Sequence, residues 1–129
     1  MEIRRLLLTQ EQNVPSPVAP YSHVVIAGGF LFVTGQMPID PVDDSFVGGS
    51  MTQQTNRVMQ NLKNVLESAG SSMDRIVQVR AYLTSFDRYG EFNDAYERWF
   101  KNGLPARTCI GVTSLAVGAD VEIDLIAIF

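Results

Sequence analysis

Residues 24–34 read VVIAGGFLFVT, two apolar runs joined by a pair of glycines. Two-residue hairpin turns need positive φ angles, which glycine adopts at little steric cost. The pattern therefore predicts two antiparallel strands, Val24–Ala27 and Phe30–Thr34, joined at the glycine pair. Upstream, Ile3–Leu8 is a candidate first strand, and three prolines between residues 15 and 20 predict a loop that leads into the hairpin.

Two amphipathic segments downstream of the hairpin predict helices. Ser50–Gln53 has the form of a capping box and predicts the start of the first helix, which ends at Gly70. The second helix is expected from Asp87 to Asn102. Each carries an apolar stripe typical of core packing, so we interpret both helices as structural. The stripes comprise Val58, Leu62, Val65, Leu66 and Ala69 in the first helix, and Tyr89, Phe92, Tyr96, Trp99 and Phe100 in the second.

The remaining apolar segments predict three more strands, Ile76–Leu83, Arg107–Thr113 and Asp120–Ile128, whereas Pro38–Gly49 is predicted to be a loop. This order of elements predicts an α/β fold in a single domain spanning residues 1–129. Its two helices are expected to pack on one face of the sheet.

Composition excludes several classes of function. The chain has 129 residues, of which 46% are hydrophobic and 19% charged, enough to bury a core without disulfides or a structural metal. Its formal charge of −4 disfavours nucleic-acid binding, which needs clustered basic residues. One cysteine and one histidine exclude an internal disulfide and a His/Cys zinc cage. Neither a signal-peptide pattern nor a membrane-spanning run is recognisable, so we expect a cytoplasmic protein.

Polar residues on the last two strands are the candidates for chemistry. Side chains alternate along a strand, so Arg107 and Cys109 share one face of theirs, and Glu122 and Asp124 share one face of the last strand. A guanidinium clamps a carboxylate ligand through two parallel hydrogen bonds, and a carboxylate can polarise water. The alternative is that Arg107 forms an ion pair with Glu122 or Asp124, or is simply exposed at a sheet edge. We expect Arg107 and Glu122 to lie on the uncovered sheet face, where a partner chain would cover them.

Three other positions are ambiguous. Cys109 as a nucleophile would need a base, and His23, the sole histidine, is far away in sequence, so an apolar filler is the commoner role. His23 itself is expected at the surface or in the hairpin. Gly35 follows a strand, where its N–H could face a ligand oxygen or the glycine could merely end the strand.

Five segments of the chain form a recognisable set: Ala19–Ser22, Val33–Pro38, Asn93–Glu97, Pro105–Cys109 and Val121–Ala127. In order and spacing they resemble the RidA (YjgF-like) family of reactive-intermediate imine deaminases. The resemblance covers nearly the whole chain, and its most specific parts are the Pro-Ala-Arg-Thr-Cys segment and the final Glu-Ile-Asp strand.

The resemblance implies a chorismate-mutase-like fold, a mixed sheet, and a homotrimer with ligand sites between subunits. It also implies hydrolysis of enamines and imines, such as 2-aminoacrylate and 2-iminopropanoate, to 2-oxo acids and ammonia, without a cofactor. Carried over by position, Arg107 would hold the substrate carboxylate and Glu122 would position or activate water. Tyr21, Thr34, Gly35 and Cys109 would line the pocket.

The chain departs from the family pattern at Ala19, His23 and Thr34, where glycine, glutamine and serine are usual. Thr34 keeps the hydroxyl but adds a methyl group to the pocket. Two other functions stay open: an RNA-acting translation inhibitor or endoribonuclease, and a non-catalytic trimer that binds small carboxylates. The charge of −4 weighs against the first, and retention of Glu122 weighs against the second.

Overall fold

A six-stranded sheet forms one layer of the protein and two helices form the other. The computed structural model describes all residues from 1 to 129. The sheet order is β1-β2-β3-β8-β6-β7, antiparallel throughout except for the parallel pair β6–β7. The elements are β1 (Ile3–Leu6), β2 (Val24–Ala27), β3 (Phe30–Gln36), β4 (Ile39–Asp40), β5 (Ser45–Phe46), α1 (Met51–Ser68), β6 (Ile76–Leu83), α2 (Tyr89–Glu97), β7 (Ala106–Gly111) and β8 (Val121–Ile128).

The glycine pair makes the predicted hairpin. Gly28 and Gly29 have φ angles of 59° and 82°, and β2 pairs with β3 from Ala27 opposite Phe30 to Val24 opposite Val33. β3 runs two residues further than predicted, to Gln36, and its pairing with β8 shifts register between Val33 and Gln36. This irregularity is a bulge, which bends the strand and re-aims the residues within it.

α1 begins as predicted, whereas α2 begins two residues later and ends five residues earlier than predicted. The Ser50 hydroxyl accepts a hydrogen bond from the N–H of Gln53, and the Gln53 side chain accepts one from the N–H of Ser50, which completes the capping box. α2 covers Tyr89–Glu97 rather than residues 87–102. Beyond it the Trp99 and Phe100 N–H groups bond three residues back, a tighter turn, while both rings still pack on the core.

The predicted loop Pro38–Gly49 contains a small hairpin, so that prediction was incomplete. β4 and β5 pair over two residues each, too short to show an apolar alternation. Their turn is held by side chains: Asp40 accepts from the N–H of Val42, and Asp43 accepts from the N–H of Ser45.

His23 is fully buried, so the surface alternative was wrong, whereas its position directly before β2 agrees with the predicted place at the hairpin. Its Nδ1 accepts a hydrogen bond from the N–H of Leu8 at 2.9 Å, which leaves the ring hydrogen on Nε2, and Nε2 donates to the Pro15 carbonyl at 2.9 Å. The proline-rich loop folds back over the strand end, and the imidazole satisfies two backbone groups there.

The two faces of the sheet differ in their cover. The helix face packs under α1 and α2 and carries Val121, Ile123, Leu125 and Ala127, all buried. The open face carries apolar side chains with nothing above them in a single chain: Ile3, Phe30, Phe32 and Ile128 are 51, 43, 46 and 38% exposed. Neither helix is long and apolar enough to cross a membrane.

Candidate functional site

Arg107 lies on the helix face of β7, the edge strand next to β6. Its strand partner is Val79, which is buried beneath the helices. The guanidinium donates to the Tyr89 hydroxyl at 3.0 Å, and its carbon lies 5.8, 5.5 and 5.0 Å from the ring centres of Tyr89, Phe92 and Tyr96. Three aromatic side chains of α2 therefore hold this cation through ring faces and one hydroxyl.

No carboxylate of the chain pairs with Arg107. The two ion pairs are Arg80 with Asp124 at 2.7 Å and Arg88 with Asp120 at 2.8 Å. The alternative interpretation, an ion pair of Arg107 with Glu122 or Asp124, is therefore wrong for the single chain. A half-buried guanidinium without a counter-ion is able to accept an external anion, and its forked donors suit a carboxylate.

Cys109 lies two residues beyond Arg107 on the same face and packs partly against the core. Burial raises the pKa of the thiol above its ordinary value, although the charge of Arg107 acts in the opposite direction. A thiol with a raised pKa is a poor nucleophile at neutral pH. Cys109 therefore fits the filler role beside Arg107.

Glu122 lies on the open face, near the start of β8. It is half-buried, stands opposite Tyr82 across the β6–β8 pair, and lies against Gly35 so closely that a Cβ at position 35 would collide with its carboxylate. Gly35 sits in the bulge of β3 together with Thr34, whose N–H bonds to the His23 carbonyl at 3.0 Å. The bulge thus brings Thr34 and Gly35 beside Glu122.

Burial and the negative charge of Asp124 raise the pKa of Glu122, in that order of size. Asp124 is itself fixed: one oxygen accepts from Arg80 Nε at 2.7 Å, and the other from the Tyr82 hydroxyl at 2.9 Å. A carboxylate with a raised pKa is a stronger base than a solvated one.

Arg107 and Glu122 lie on opposite faces of the sheet, so the expectation that both occupy the uncovered face was wrong. Val79 pairs with both Arg107 and Leu125, which puts Arg107 on the face of buried Leu125. Glu122 is three residues from Leu125 in the same strand and so points the other way. The alternation of side chains within each strand was predicted correctly. The register between two strands could not be predicted, because the sequence of one strand alone does not determine it.

Tyr21 forms no hydrogen bond with Arg107 or Glu122. Its hydroxyl accepts from the N–H of Val18 at 3.1 Å, and its ring meets His23 edge-on at 6.4 Å. Sequence reasoning missed the residues that support the two charges: the α2 aromatic rings around Arg107, and Arg80 and Tyr82 around Asp124. Tyrosines within an otherwise apolar stripe were the available signal, since a buried hydroxyl needs a partner. No group of three or more His, Cys, Asp and Glu side chains could hold a metal ion.

Comparison with known proteins places the chain in the same family as the resemblance of its five segments does. The profile of the family described as endoribonuclease L-PSP matches residues 11–129. The chain belongs to this family. Protein HMF1 of Saccharomyces cerevisiae, a relative of this L-PSP family chain, is 39% identical over 116 residues, which are 90% of this chain and 89% of HMF1.

Solved structures of Rid proteins share the fold of this L-PSP family member. YyfA from Yersinia pestis, described as a member of the conserved Rid protein family, superposes with a TM-score of 0.92 at 34% identity, covering 99% of this chain and 100% of YyfA. E. coli TdcF, solved with bound serine, gives a TM-score of 0.90 at 25% identity, covering 98% of this chain and 99% of TdcF. The resemblance to the RidA (YjgF-like) family is thereby confirmed.

Proposed function

We propose that this protein hydrolyses 2-imino acids and their enamine tautomers, of the 2-iminopropanoate and 2-aminoacrylate type, to 2-oxo acids and ammonia. The observation that carries the proposal is the guanidinium of Arg107, enclosed by three aromatic rings and without a carboxylate partner. Membership of the L-PSP family supports it.

Arg107 would bind the substrate carboxylate. Tyr89 occupies one donor of the guanidinium at 3.0 Å, and the fork keeps further N–H groups for a two-pronged contact. The aromatic neighbours replace part of the water around the half-buried cation, which strengthens its attraction for an anion. A carboxylate held in a fixed plane would present the neighbouring imine carbon in one orientation, and orientation supplies a large part of such rate enhancements.

Glu122 would deprotonate the water that attacks the imine carbon. The attack converts the carbon–nitrogen double bond into a tetrahedral carbinolamine. Transfer of a proton to the nitrogen then lets ammonia leave, and the carbon–oxygen double bond of the 2-oxo acid forms. An imine carbon is already electrophilic, so one oriented water and one base suffice.

We propose a homotrimer, and the position of these two residues supports an association between copies of the chain. One ligand cannot contact both Arg107 and Glu122 within a chain, because the sheet separates them. A second copy that covers the open face would bring the missing group to the site and would bury Phe30, Phe32 and Ile128. Thr34 and Gly35 beside Glu122, and Cys109 beside Arg107, would then line two walls of one inter-subunit pocket.

Two further observations bear on the ligand and on the alternatives. TdcF was solved with serine, a molecule with the carboxylate and size of the proposed substrates. The family description, endoribonuclease L-PSP, favours RNA cleavage as the second candidate. The net charge of −4 opposes RNA binding. The cytoplasmic location stays a prediction.

The decisive experiment couples an L-amino-acid oxidase to the purified protein and follows the disappearance of imine above its spontaneous hydrolysis. We expect acceleration with alanine-derived imine and its loss in Arg107→Ala. Arg4→Ala, which removes an exposed arginine on β1, is the matched control and should keep full activity. The same preparations are incubated with single-stranded RNA. Cleavage of RNA that survives Arg107→Ala, without imine turnover, would favour the second candidate. Pyruvate binding without turnover would favour the carboxylate-binding trimer.

A further inference from the structure

A large cavity of the chain lies outside the proposed site. It is an open groove of about 990 Å³ between the solvent side of α1 and the segment 98–102 that follows α2, and we call it the helical groove. Trp99, the only tryptophan, forms part of its wall, with the indole N–H donating to Asn56 at 3.0 Å. None of the proposed site residues lines it.

The helical groove concentrates positive charge in an acidic protein. Arg57 and Lys63 line it from α1, and Arg98 and Lys101 line it from the opposite wall. These are four of the ten basic side chains, including both lysines, and none forms an ion pair. The acidic side chains in the groove are Glu67 and Asp74; Asp74 is hydrogen-bonded to Asn102 at 3.0 Å. The groove therefore carries a net charge of about +2 on a chain whose total is −4.

Arg57 is held in place from beneath. Its Nε and Nη2 donate to the side-chain oxygen of Asn61 at 3.2 and 2.8 Å. Asn61 is fully buried, and its amide nitrogen donates to the carbonyls of Met37 and Ile39. A guanidinium aligned in this way has lost side-chain freedom before any ligand arrives, and its remaining donors have no partner within the chain. Such an arrangement is built to receive a carboxylate or another planar oxyanion.

We propose that the helical groove is a docking site for an extended acidic peptide segment of a partner protein, with Arg57 receiving one carboxylate and Lys63 a second. The two residues are six apart in α1, about 9 Å along its axis. Acidic residues three apart in a peptide in the extended polyproline II conformation lie on one face and are separated by about 9 Å, so the spacings match.

An acidic peptide fits the helical groove better than a nucleic acid does. A long polyanion is repelled by the net negative charge of the whole chain. A short peptide interacts mainly with the local positive charge, because salt screens interactions beyond about 10 Å. The single tryptophan is half-buried and hydrogen-bonded, which leaves no row of rings on which bases could stack. Side-chain amides of Gln53, Asn56 and Gln60 line the groove, and such groups pair with the donors and acceptors of a peptide backbone.

The test uses Trp99 as a reporter of the helical groove. An acetylated ten-residue peptide with glutamate at every third position and glycine elsewhere is titrated into the full chain, with fluorescence and calorimetry as readouts. We expect saturable binding that weakens as salt rises from 50 to 200 mM, and no binding of the same peptide with glutamine in place of glutamate. Arg57→Gln should weaken binding about tenfold, since it removes charged hydrogen bonds, and Lys63→Gln about threefold.

Arg4→Gln is the matched control, because it removes the same charge far from the helical groove and should leave the affinity unchanged. Lys63→Gln touches no hydrogen bond of the fold, so its effect is readable even if Arg57→Gln disturbs folding. Three outcomes would overturn the proposal: no saturable binding of the glutamate peptide, equal weakening by Arg4→Gln, or tighter binding of a ten-nucleotide oligouridylate than of the peptide. Imine hydrolysis should be unchanged in Lys63→Gln, so this test and that of the proposed function fail separately.

Discussion

Arg107 and Glu122 lie on opposite faces of one sheet, and the two faces hold their charges by different means. On the helix face, aromatic rings and one hydroxyl surround a guanidinium that has no carboxylate partner. On the open face, a carboxylate is half-buried beside a second carboxylate, which an arginine and a tyrosine hold in place. The first arrangement favours binding an anion, and the second favours accepting a proton. On the proposed function, a single chain thus offers half of a site on each face.

The largest effect is expected where the two halves would meet. Phe32→Asp places a carboxylate in the apolar part of the open face, and burying an unpaired charge costs several kcal/mol. We expect the trimer to dissociate and imine hydrolysis to be lost together, measured by light scattering and by the coupled oxidase assay. Phe46→Asp is the control, since Phe46 is similarly exposed but lies on β5, outside the sheet. An active monomer would show that one chain holds a complete site.

Removing the base should have the next largest effect. Glu122→Gln keeps the shape of the side chain but not its basicity, so kcat should fall by about 100-fold or more, while pyruvate affinity changes by less than about twofold. Parallel titrations with pyruvate and rate measurements on fresh imine separate the two properties. Full turnover would place the base elsewhere. Loss of pyruvate binding as severe as in Arg107→Ala would make Glu122 a residue that aligns Arg107.

The aromatic enclosure of Arg107 predicts that a positive charge at position 107 is not by itself enough to orient the substrate. Arg107→Lys keeps the charge but loses the forked pair of donors, so kcat/KM should fall. The corresponding loss of transition-state stabilisation should be about 1.5–3 kcal/mol, the value of a hydrogen bond to a charged group. Cys109→Ala is the neighbouring control, and its kcat/KM should stay within about twofold because the thiol serves as a filler. Wild-type rates in Arg107→Lys would show that Arg107 does not clamp the carboxylate.

The smallest effect is expected in the pH dependence of kcat/KM, through the pKa of Glu122 on the open face. The charge of Asp124 raises the pKa of Glu122, so Asp124→Asn should lower that pKa and move the acid limb of the kcat/KM profile to lower pH. Arg80→Gln removes the cation that pairs with Asp124 and should move the same limb to higher pH. Profiles of the two variants against wild type test the sign. Shifts in the same direction would mean that Asp124 does not tune Glu122 by its charge.

The sequence predicts local structure in this protein better than it predicts the site. Glycine φ angles decide the 28–29 turn and side-chain hydrogen bonds decide the Ser50 cap, and both act within a few residues. The faces of Arg107 and Glu122 depend instead on how β7 and β8 register against β6, which no local pattern contains. The burial of His23 was missed for a similar reason, since its hydrogen-bond partners Leu8 and Pro15 come from two other segments.

The close contact between Gly35 and Glu122 bears on how such a protein could change in the course of evolution. Any other amino acid at position 35 adds a Cβ that must push the carboxylate aside, while the core, the capping box and the enclosure of Arg107 stay intact. On the proposed function, one codon change at position 35 would therefore turn the hydrolase into a carboxylate receptor of the same shape. A turnover assay would tell the two apart, but their folds would not.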